Sequence, residues 1–413
     1  MADAVGCRFC GSPLEHLVVD LGMSPLCERY LTADQLDQME PFYPLRVQLC
    51  DQCMLVQLQQ YVSPAEIFGE YAYFSSYSTS WVEHARRFCH QAAGRFDLDG
   101  GSLVVEVASN DGYLLRHLVA MGIPVLGIEP ARNVAAAAVE AGVPSITEFF
   151  GAELAQQLRA EGRAADLLVA NNVLAQVPDL NDFVAGMRVL LAPGGVASVE
   201  FPHLPRLFAG NQFDTIYHEH FSYFTLLAAR RIFAHHGLVV FDLEELPTHG
   251  GSLRLYLCHQ GDDAKPLQPS VTALLAAEAA AGYSRPDPYL AFGPQVERAK
   301  RKLLSYLIQA WEEGRQVAGY GAPGKGNTLL NYCGIRSDLL AYTVDRNPYK
   351  QGRFLPGSHI PVYHPDRLAE TKPDDVLVLP WNLRAEIAAQ LDAVRSWGGR
   401  LLVPIPEVEV IGW

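Results

Sequence analysis

From residue 102 onward the chain alternates short apolar runs with amphipathic stretches. "SLVVEVASNDGYLLRHLVAMG" reads as a buried strand, a turn and a helix. "IPVLGIEP" (Ile123–Pro130) gives a second strand, and "ARNVAAAAVEAG" the helix after it. "ADLLVANNVLAQVPD" supplies a strand and a loop. "LNDFVAGMRVLLAPGG" is predicted as an amphipathic helix, with Phe183, Met187, Leu190 and Leu191 at helical spacing and Gly194-Gly195 as its cap. "VASVEFP" is another strand. This alternation implies an α/β chain with a doubly wound sheet. A further alternating section begins near residue 314: "RQVAGYGAPGKGNTLLNYCG" reads as strand, Gly-rich turn and helix, and "LAYTVDRNP" and "DDVLVLPWN" add strands. Between the two sections, 261–313 reads as helical linking structure with a Pro-marked break.

Ahead of both lie two CxxC knuckles, "CRFC" (Cys7, Cys10) and "CDQC" (Cys50, Cys53). Two such knuckles bring four thiolates to one point, the tetrahedral donor set zinc prefers. The 39 residues between them exceed the usual spacing, so an inserted subdomain is expected there. Four cysteines close the coordination shell, which makes the zinc structural and gives it no catalytic role. Cys27, Cys89, Cys258 and Cys333 are scattered and read as ordinary buried residues.

Composition narrows the classes. With 413 residues, 49% hydrophobic and 19% charged, the chain can build two or three ordinary globular cores. A net charge of −14 argues against a nucleic-acid partner, since phosphates need clustered Lys and Arg. No run of about 18 apolar residues is present, so no membrane span is expected. The first residues lack a basic stretch followed by an apolar one, so a cytoplasmic protein is expected. In that reducing compartment the eight cysteines are not a disulfide framework.

The chemistry concentrates in a few stretches. In "VVEVASNDGYLL", Glu106 closes a buried strand, and Ala108, Asn110 and Gly112 follow before a helix. Small residues admit a ligand to the backbone there. Glu129, before Pro130, ends the next strand, where a carboxylate can accept both ribose hydroxyls. The turn is not GxGxxG, which points away from NAD and toward an adenosine ligand without a pyrophosphate, S-adenosylmethionine. The segment "IYHEHFSYF" (Ile216–Phe224) leaves three readings open: a metal pair at His218 and His220 on one strand face, a structural pair, or a proton-transfer site. The Tyr- and Ser-rich stretch Phe68–Trp81 is either a packed connector or a hydroxyl-rich lid. "THGGSLR" sets His249 and Arg254 around a flexible glycine pair, where Arg254 suits a phosphate or carboxylate and His249 suits either a site or a plain hairpin. "GYGAPGKG", with Asp345 downstream, matches an NAD fingerprint and supports an alternative, an NAD-dependent sugar-nucleotide oxidoreductase. Gly326 replaces the Ser or Thr that a P-loop needs.

"EVASNDGYLL", "GIEP", "NNVLAQVPD", "IYHEHFSYF", "HGGSLR" and "GYGAPGKGNTLLN" follow in this order behind the two knuckles. Together they resemble the bacterial sugar C-methyltransferases, over nearly the whole chain. The resemblance implies a zinc-binding domain (1–68), an S-adenosylmethionine domain with a Tyr/Ser-rich lid (69–260), the linking segment (261–313) and a second Rossmann-like domain that assists nucleotide-sugar binding (314–413). It implies methylation at C-3 of a nucleotide-linked 4-keto-6-deoxyhexose. The oligomeric state has no signal in the sequence, and a monomer is expected. By the same resemblance His220 is the base, Tyr217 faces the enolate oxygen, Glu219 orients a partner or the sugar, and Tyr71 reaches the sugar. Asn171 and Asn172 join the cofactor set of Glu106, Ala108, Asn110, Gly112, Glu129 and Pro130. Gln176, His249, Gly250, Arg254 and Lys325 join the substrate set. Relatives usually carry His where this chain has Gln176. Gln cannot act as a base, so that position either only orients the substrate, or the roles are divided differently, or the substrate oxygen or stereochemistry differs.

Overall fold

The computed structural model describes residues 6–68 and 74–411. The chain forms two compact units, each assembled from separated stretches. The first takes the residues up to Glu15, then Leu49–Leu204 and Glu219–Pro286. The second takes His16–Gln48, Pro205–His218 and the chain from Asp287 onward. These stand where the sequence suggested consecutive blocks.

The first unit is built on a seven-stranded sheet. Its strands are β1 (Val104–Val107), β2 (Val125–Ile128), β3 (Ser145–Ile146), β4 (Ala165–Asn171), β5 (Leu191–Pro202), β6 (Leu238–Leu246) and β7 (Ser252–His259), in the spatial order β6-β7-β5-β4-β1-β2-β3. β1 to β5 run parallel, while β7 is antiparallel to both β5 and β6. Both faces are covered. Val105 and Val107 join one core cluster with Ile128, Leu168 and Phe183, and Val104 joins another with Leu118, Leu167 and Phe88. Burial on both sides explains why these strands read as continuous apolar runs. Chain order reverses between β1 and β4, and the crevice outside their carboxyl ends is the switch point where such sheets bind ligands.

The helix before β5 is shorter than its apolar pattern suggested. It spans Leu180–Leu190, and Leu191 already has extended backbone (φ −62, ψ 128) and begins β5. Pro193 accounts for the difference, because a proline disfavours helical backbone in the residue before it. Gly194 and Gly195 therefore lie within the strand and do not cap the helix.

The second unit carries a six-stranded sheet: β8 (Val317–Tyr320), β9 (Thr343–Val344), β10 (Val362–Tyr363), β11 (Asp375–Val378), β12 (Arg400–Val403) and β13 (Glu409–Ile411), in the order β10-β9-β8-β11-β12-β13. All pairs are parallel except β12–β13. Its switch point lies between β8 and β11. The insertion between the knuckles belongs to this unit and not to a free-standing zinc module. Asn327 donates to the Cys27 carbonyl (2.6 Å), and Glu40 accepts from the Gly357 amide and pairs with His359 (both 2.9 Å). The expected linking segment divides as well: helix Pro269–Ala280 lies in the first unit and helix Phe292–Glu312 in the second. Among the described residues no helix is long and apolar enough to cross a membrane.

Gly186 tests the packing of the first unit. In an exposed helix, Ala for Gly would gain about 1 kcal/mol. A Cβ at Gly186 would stand 2.8 Å from the backbone carbon and oxygen of Gly151, which have no rotamer to yield. Overpacking of this kind costs about 1–3 kcal/mol, so the clash outweighs the propensity. Gly186→Ala is expected to lower the thermal unfolding midpoint, and an equal or higher midpoint would contradict this packing.

Candidate active site and metal centre

The two knuckles are copies of one local design. The Cys7 amide donates to the Ser12 carbonyl (2.8 Å) and the Gly11 amide to the Cys7 carbonyl (2.9 Å). In the second knuckle the Cys50 amide donates to Leu55 (3.0 Å) and the Met54 amide to Cys50 (2.8 Å). The residue after each second cysteine is left-handed, Gly11 at φ 75 and Met54 at φ 62. All four sulfurs lie within 4.8 Å of one another, with Cys7–Cys53 at 3.6 Å and Cys10–Cys50 at 3.5 Å. Zn–S bonds of about 2.3 Å in a tetrahedron put sulfurs about 3.8 Å apart, so the donor set fits zinc. The buried Gln57 amide donates to the Cys7 sulfur (3.1 Å), as expected for a sulfur held as thiolate.

The residues expected to hold the cofactor gather at the first unit's switch point. Glu129 at the end of β2 accepts the Asn110 amide with one oxygen (3.0 Å) and the Ala131 amide with the other (2.9 Å). It thereby braces a turn in which Ala108 (φ 55), Asn110 (φ 50) and Gly112 (φ 74) are all left-handed. Each carboxylate oxygen keeps a lone pair for a further donor. Ser75 and Ser76 give their backbone N–H to the side chains of Asn110 (2.8 Å) and Asp111 (3.1 Å), so this part of the Tyr/Ser-rich stretch is fastened to the turn. Residues 69–73, including the expected Tyr71, lie outside the described residues. Around the turn, buried polar atoms have no hydrogen-bond partner among the described residues: Glu106 Oε2, Ser109 Oγ and Asp111 Oδ1, with Asn171 Oδ1 and Asn172 Nδ2 at the end of β4. Burial, reinforced by Glu129 and Asp111, pushes the Glu106 carboxyl well above its ordinary range. Burial also raises Glu129, against its two N–H bonds. Glu106 Oε2, Asp111 Oδ1 and Asn171 Oδ1 are open acceptors and Asn172 Nδ2 an open donor, a set that fits a ligand bringing hydroxyl, ammonium and carboxylate groups, as S-adenosylmethionine does.

The segment Ile216–Phe224 is not the continuous strand that its spacing suggested. His218 and Glu219 form a turn, and only Ser222–Tyr223 is strand. The shared-face argument for a histidine metal pair therefore fails. Among the described residues the four cysteines are the only clustered metal-ligand set. The turn is also where the chain leaves the second unit, so Tyr217 belongs to that unit and Glu219 and His220 to the first. His218 is buried, with Nε2 on the Pro44 carbonyl (3.2 Å), and its pKa is lowered by that burial. His220 is half-buried. The Phe221 amide donates to the Ala175 carbonyl (2.7 Å) and the Leu58 amide to Phe221 (2.9 Å), which fixes the backbone beside His220 against the loop holding Gln176.

Of the phosphate or carboxylate expected for Arg254, the structure shows carboxylates of the chain itself. The residue is 2% exposed and is bonded to Glu200 (2.6 Å) and Glu244 (3.0 Å) over the Phe88 ring. His249, at φ 52 beside Gly250 (φ 87) and Gly251 (φ 124), packs edge-on against Trp81. Neither Glu200 nor Trp81 carried a sequence signal, since each takes its place through strand register or ring stacking.

In the second unit the turn 319–326 and Trp381-Asn382 meet at the switch point. Lys325 donates to Asn382 (2.8 Å) and lies over the Trp381 ring (4.8 Å), while Trp381 donates to the buried Asp214 (2.6 Å). Asp345, the acid an NAD site would turn to a ribose, instead accepts the amides of Ala322 (2.6 Å) and Asn347 (2.7 Å). A Cβ on Gly321 would stand 2.6 Å from Pro380, so that glycine serves packing. The oxidoreductase alternative loses its support with these contacts.

Residues 7–68 match a zinc binding domain, 81–243 a methyltransferase domain and 247–406 a C-methyltransferase C-terminal domain. The chain is 36% identical over 405 residues to the C-methyltransferase NovU of Streptomyces niveus, covering 98% of this chain and 96% of NovU. It is 28% identical over 160 residues to a ubiquinone biosynthesis O-methyltransferase of Roseobacter denitrificans, covering 33% of this chain and 63% of that protein. Among solved structures, the magnesium protoporphyrin IX methyltransferase ChlM of Synechocystis with bound SAH superposes with a TM-score of 0.35 at 15% identity, covering 43% of this chain and 83% of that one.

Two outcomes follow from this geometry. The purified chain should carry one zinc by elemental analysis, and Cys50→Ser should lose it and unfold at lower temperature. A metal-free wild type with an unchanged midpoint would refute the centre. Glu129→Ala, which removes both the brace and the hydroxyl acceptor, should weaken S-adenosylmethionine binding by about 10- to 100-fold in titration calorimetry. Unaltered affinity would place the ligand elsewhere.

Proposed function

The chain belongs to the C-methyltransferase family, with a structural zinc and S-adenosylmethionine as its methyl donor, and on that premise we propose that it methylates C-3 of a nucleotide-linked 4-keto-6-deoxyhexose. When bound, S-adenosylmethionine supplies an electrophilic methyl group on a sulfonium. The chain's own residues have to make a carbon nucleophilic. A C–H bond is not a nucleophile, but one beside a ketone yields its proton when a base stands close and the enolate oxygen is stabilised. His220 is the base in this reading, since imidazole titrates near neutrality. Gln176 offers its amide to the ketone or to a sugar hydroxyl, and it cannot exchange a proton as the usual histidine would. Glu219 orients a partner of the base or the sugar.

The observation that carries this reading is the 2.7 Å bond from the Phe221 amide to the Ala175 carbonyl. It ties the histidine-bearing segment to the loop four residues beyond Asn171, at the edge where the open acceptors lie. A base held by backbone bonds on both sides of its neighbour Phe221 keeps its geometry without relying on long side chains.

The test is deuterium exchange. A panel of 4-keto-6-deoxyhexose nucleotides is incubated with the protein in heavy water. One of them should take up deuterium at C-3, and with S-adenosylmethionine present it should gain one methylene unit by mass spectrometry. His220→Ala should retain both ligands yet lose exchange and turnover together, by at least about 100-fold, the usual share of a general base. A fully active His220→Ala would remove the base, and a panel with neither exchange nor methylation would remove the substrate class.

A further inference from the structure

We propose that Glu200, held by Arg254, positions the turn Thr248–Gly251, and that Arg254 serves the site through Glu200 and through His84, whose Nε2 lies 3.0 Å from its guanidinium. The inference rests on reading this turn as a sugar contact. Strand register creates the arrangement. Arg254 on β7 stands opposite Glu200 on β5 and Glu244 on β6, so three alternating charges lie side by side across three neighbouring strands. Arg254 and Glu200 are 2% and 0% exposed.

Both Glu200 oxygens are in use. Oε2 takes Arg254 (2.6 Å) and lies 3.2 Å from His84 Nε2, while Oε1 accepts the Thr248 hydroxyl (3.0 Å). The turn so held is strained. His249, Gly250 and Gly251 are successive left-handed residues, and a histidine stays at φ 52 only where its surroundings fix it. Backbone bonds from the Gly251 amide to Thr248 (2.8 Å) and from the His203 amide to Gly251 (3.0 Å) close the turn. The Thr248 hydroxyl links it to the charges.

A second route reaches the same histidine. His84 stacks on Trp81 (4.9 Å, 18°), and Trp81 meets the edge of His249 (5.0 Å). Glu200, Thr248, His249, Trp81 and His84 therefore form a closed circuit of contacts. Trp81 also stacks on Tyr113, the residue after the cofactor turn's Gly112 (6.2 Å, 24°). One carboxylate thus sets the sugar-facing turn against a wall shared with the cofactor turn, which is what alignment of donor and acceptor requires.

Glu200→Gln would leave Arg254 buried with a lost counter-charge and endanger the fold, so the test uses Thr248. Thr248→Val deletes the hydroxyl at constant shape, and Thr248→Ser restores it. In Thr248→Val the amides of 248–251 should exchange with heavy water faster, by mass spectrometry. KM for the keto-sugar nucleotide should rise on the order of tenfold while the S-adenosylmethionine Kd stays within about twofold, as for one hydrogen bond to a charged acceptor. Thr248→Ser should recover both. Unchanged exchange in Thr248→Val, or a serine variant as impaired as the valine, overturns the positioning role. Faster exchange with an unchanged KM in both Thr248→Val and His249→Ala overturns the sugar reading of the turn, and with it the proposal's link to function.

Discussion

In both sheets, a carboxylate at the end of the second strand receives a backbone N–H from the turn that ends the first. Glu129 does this for Asn110 and Asp345 for Ala322. A chain that reverses at a buried strand end leaves amides that water cannot reach, and each must find an acceptor. The two turns then diverge. Glu129 braces its turn while Glu106, Ser109 and Asp111 beside it keep unpartnered atoms. Asp345 gives its second oxygen to Asn347, Thr343 donates to the Gly321 carbonyl (2.7 Å), and Lys350 to the Ala322 carbonyl (2.8 Å). One turn is braced and open, and the other is braced and filled. The glycine fingerprint sits on the filled turn and not on the open one, so glycine spacing does not separate the two and the surrounding acceptors do.

The same logic separates two buried glutamates. Burial alone would raise both carboxyls. For Glu200 the His84 hydrogen bond and the Arg254 charge outweigh it and bring the value down to about 2. Glu106 has no cation to offset its burial, and the neighbouring Glu129 and Asp111 push it further up. A buried, paired charge holds its neighbours in place, because removing either partner strands the other. Glu200 anchors the fold, while Glu106 keeps an oxygen open.

Legibility in the sequence followed the distance over which each feature is decided. The knuckles were legible because cysteine spacing and a left-handed fifth residue are local. The alternating runs of both sheets were legible because burial on both faces leaves few polar positions. The end of helix Leu180–Leu190 was misread from its apolar stripe, although Pro193 carried the signal. The partners of Arg254 were not legible because they lie across strands, 54 and 10 residues away. The membership of the His16–Gln48 insertion in the second unit depends on long-range pairs such as Asn327–Cys27, 300 residues apart, which no window of sequence contains.

Distance also decides between the two histidines of "IYHEHFSYF". Spacing alone made them equivalent, two positions apart on one imagined strand face. The turn at His218–Glu219 removes the equivalence. His218 spends Nε2 on the Pro44 carbonyl and keeps Nδ1 buried without a partner. A proton arriving there would create an imidazolium in apolar surroundings, and burial lowers its pKa accordingly. His220 stands half-buried on backbone pinned through Phe221. A base that must take a proton from carbon needs a fixed ring whose cation can still be solvated or paired. His218 fails the second condition, and the choice of His220 as the base stays with the resemblance.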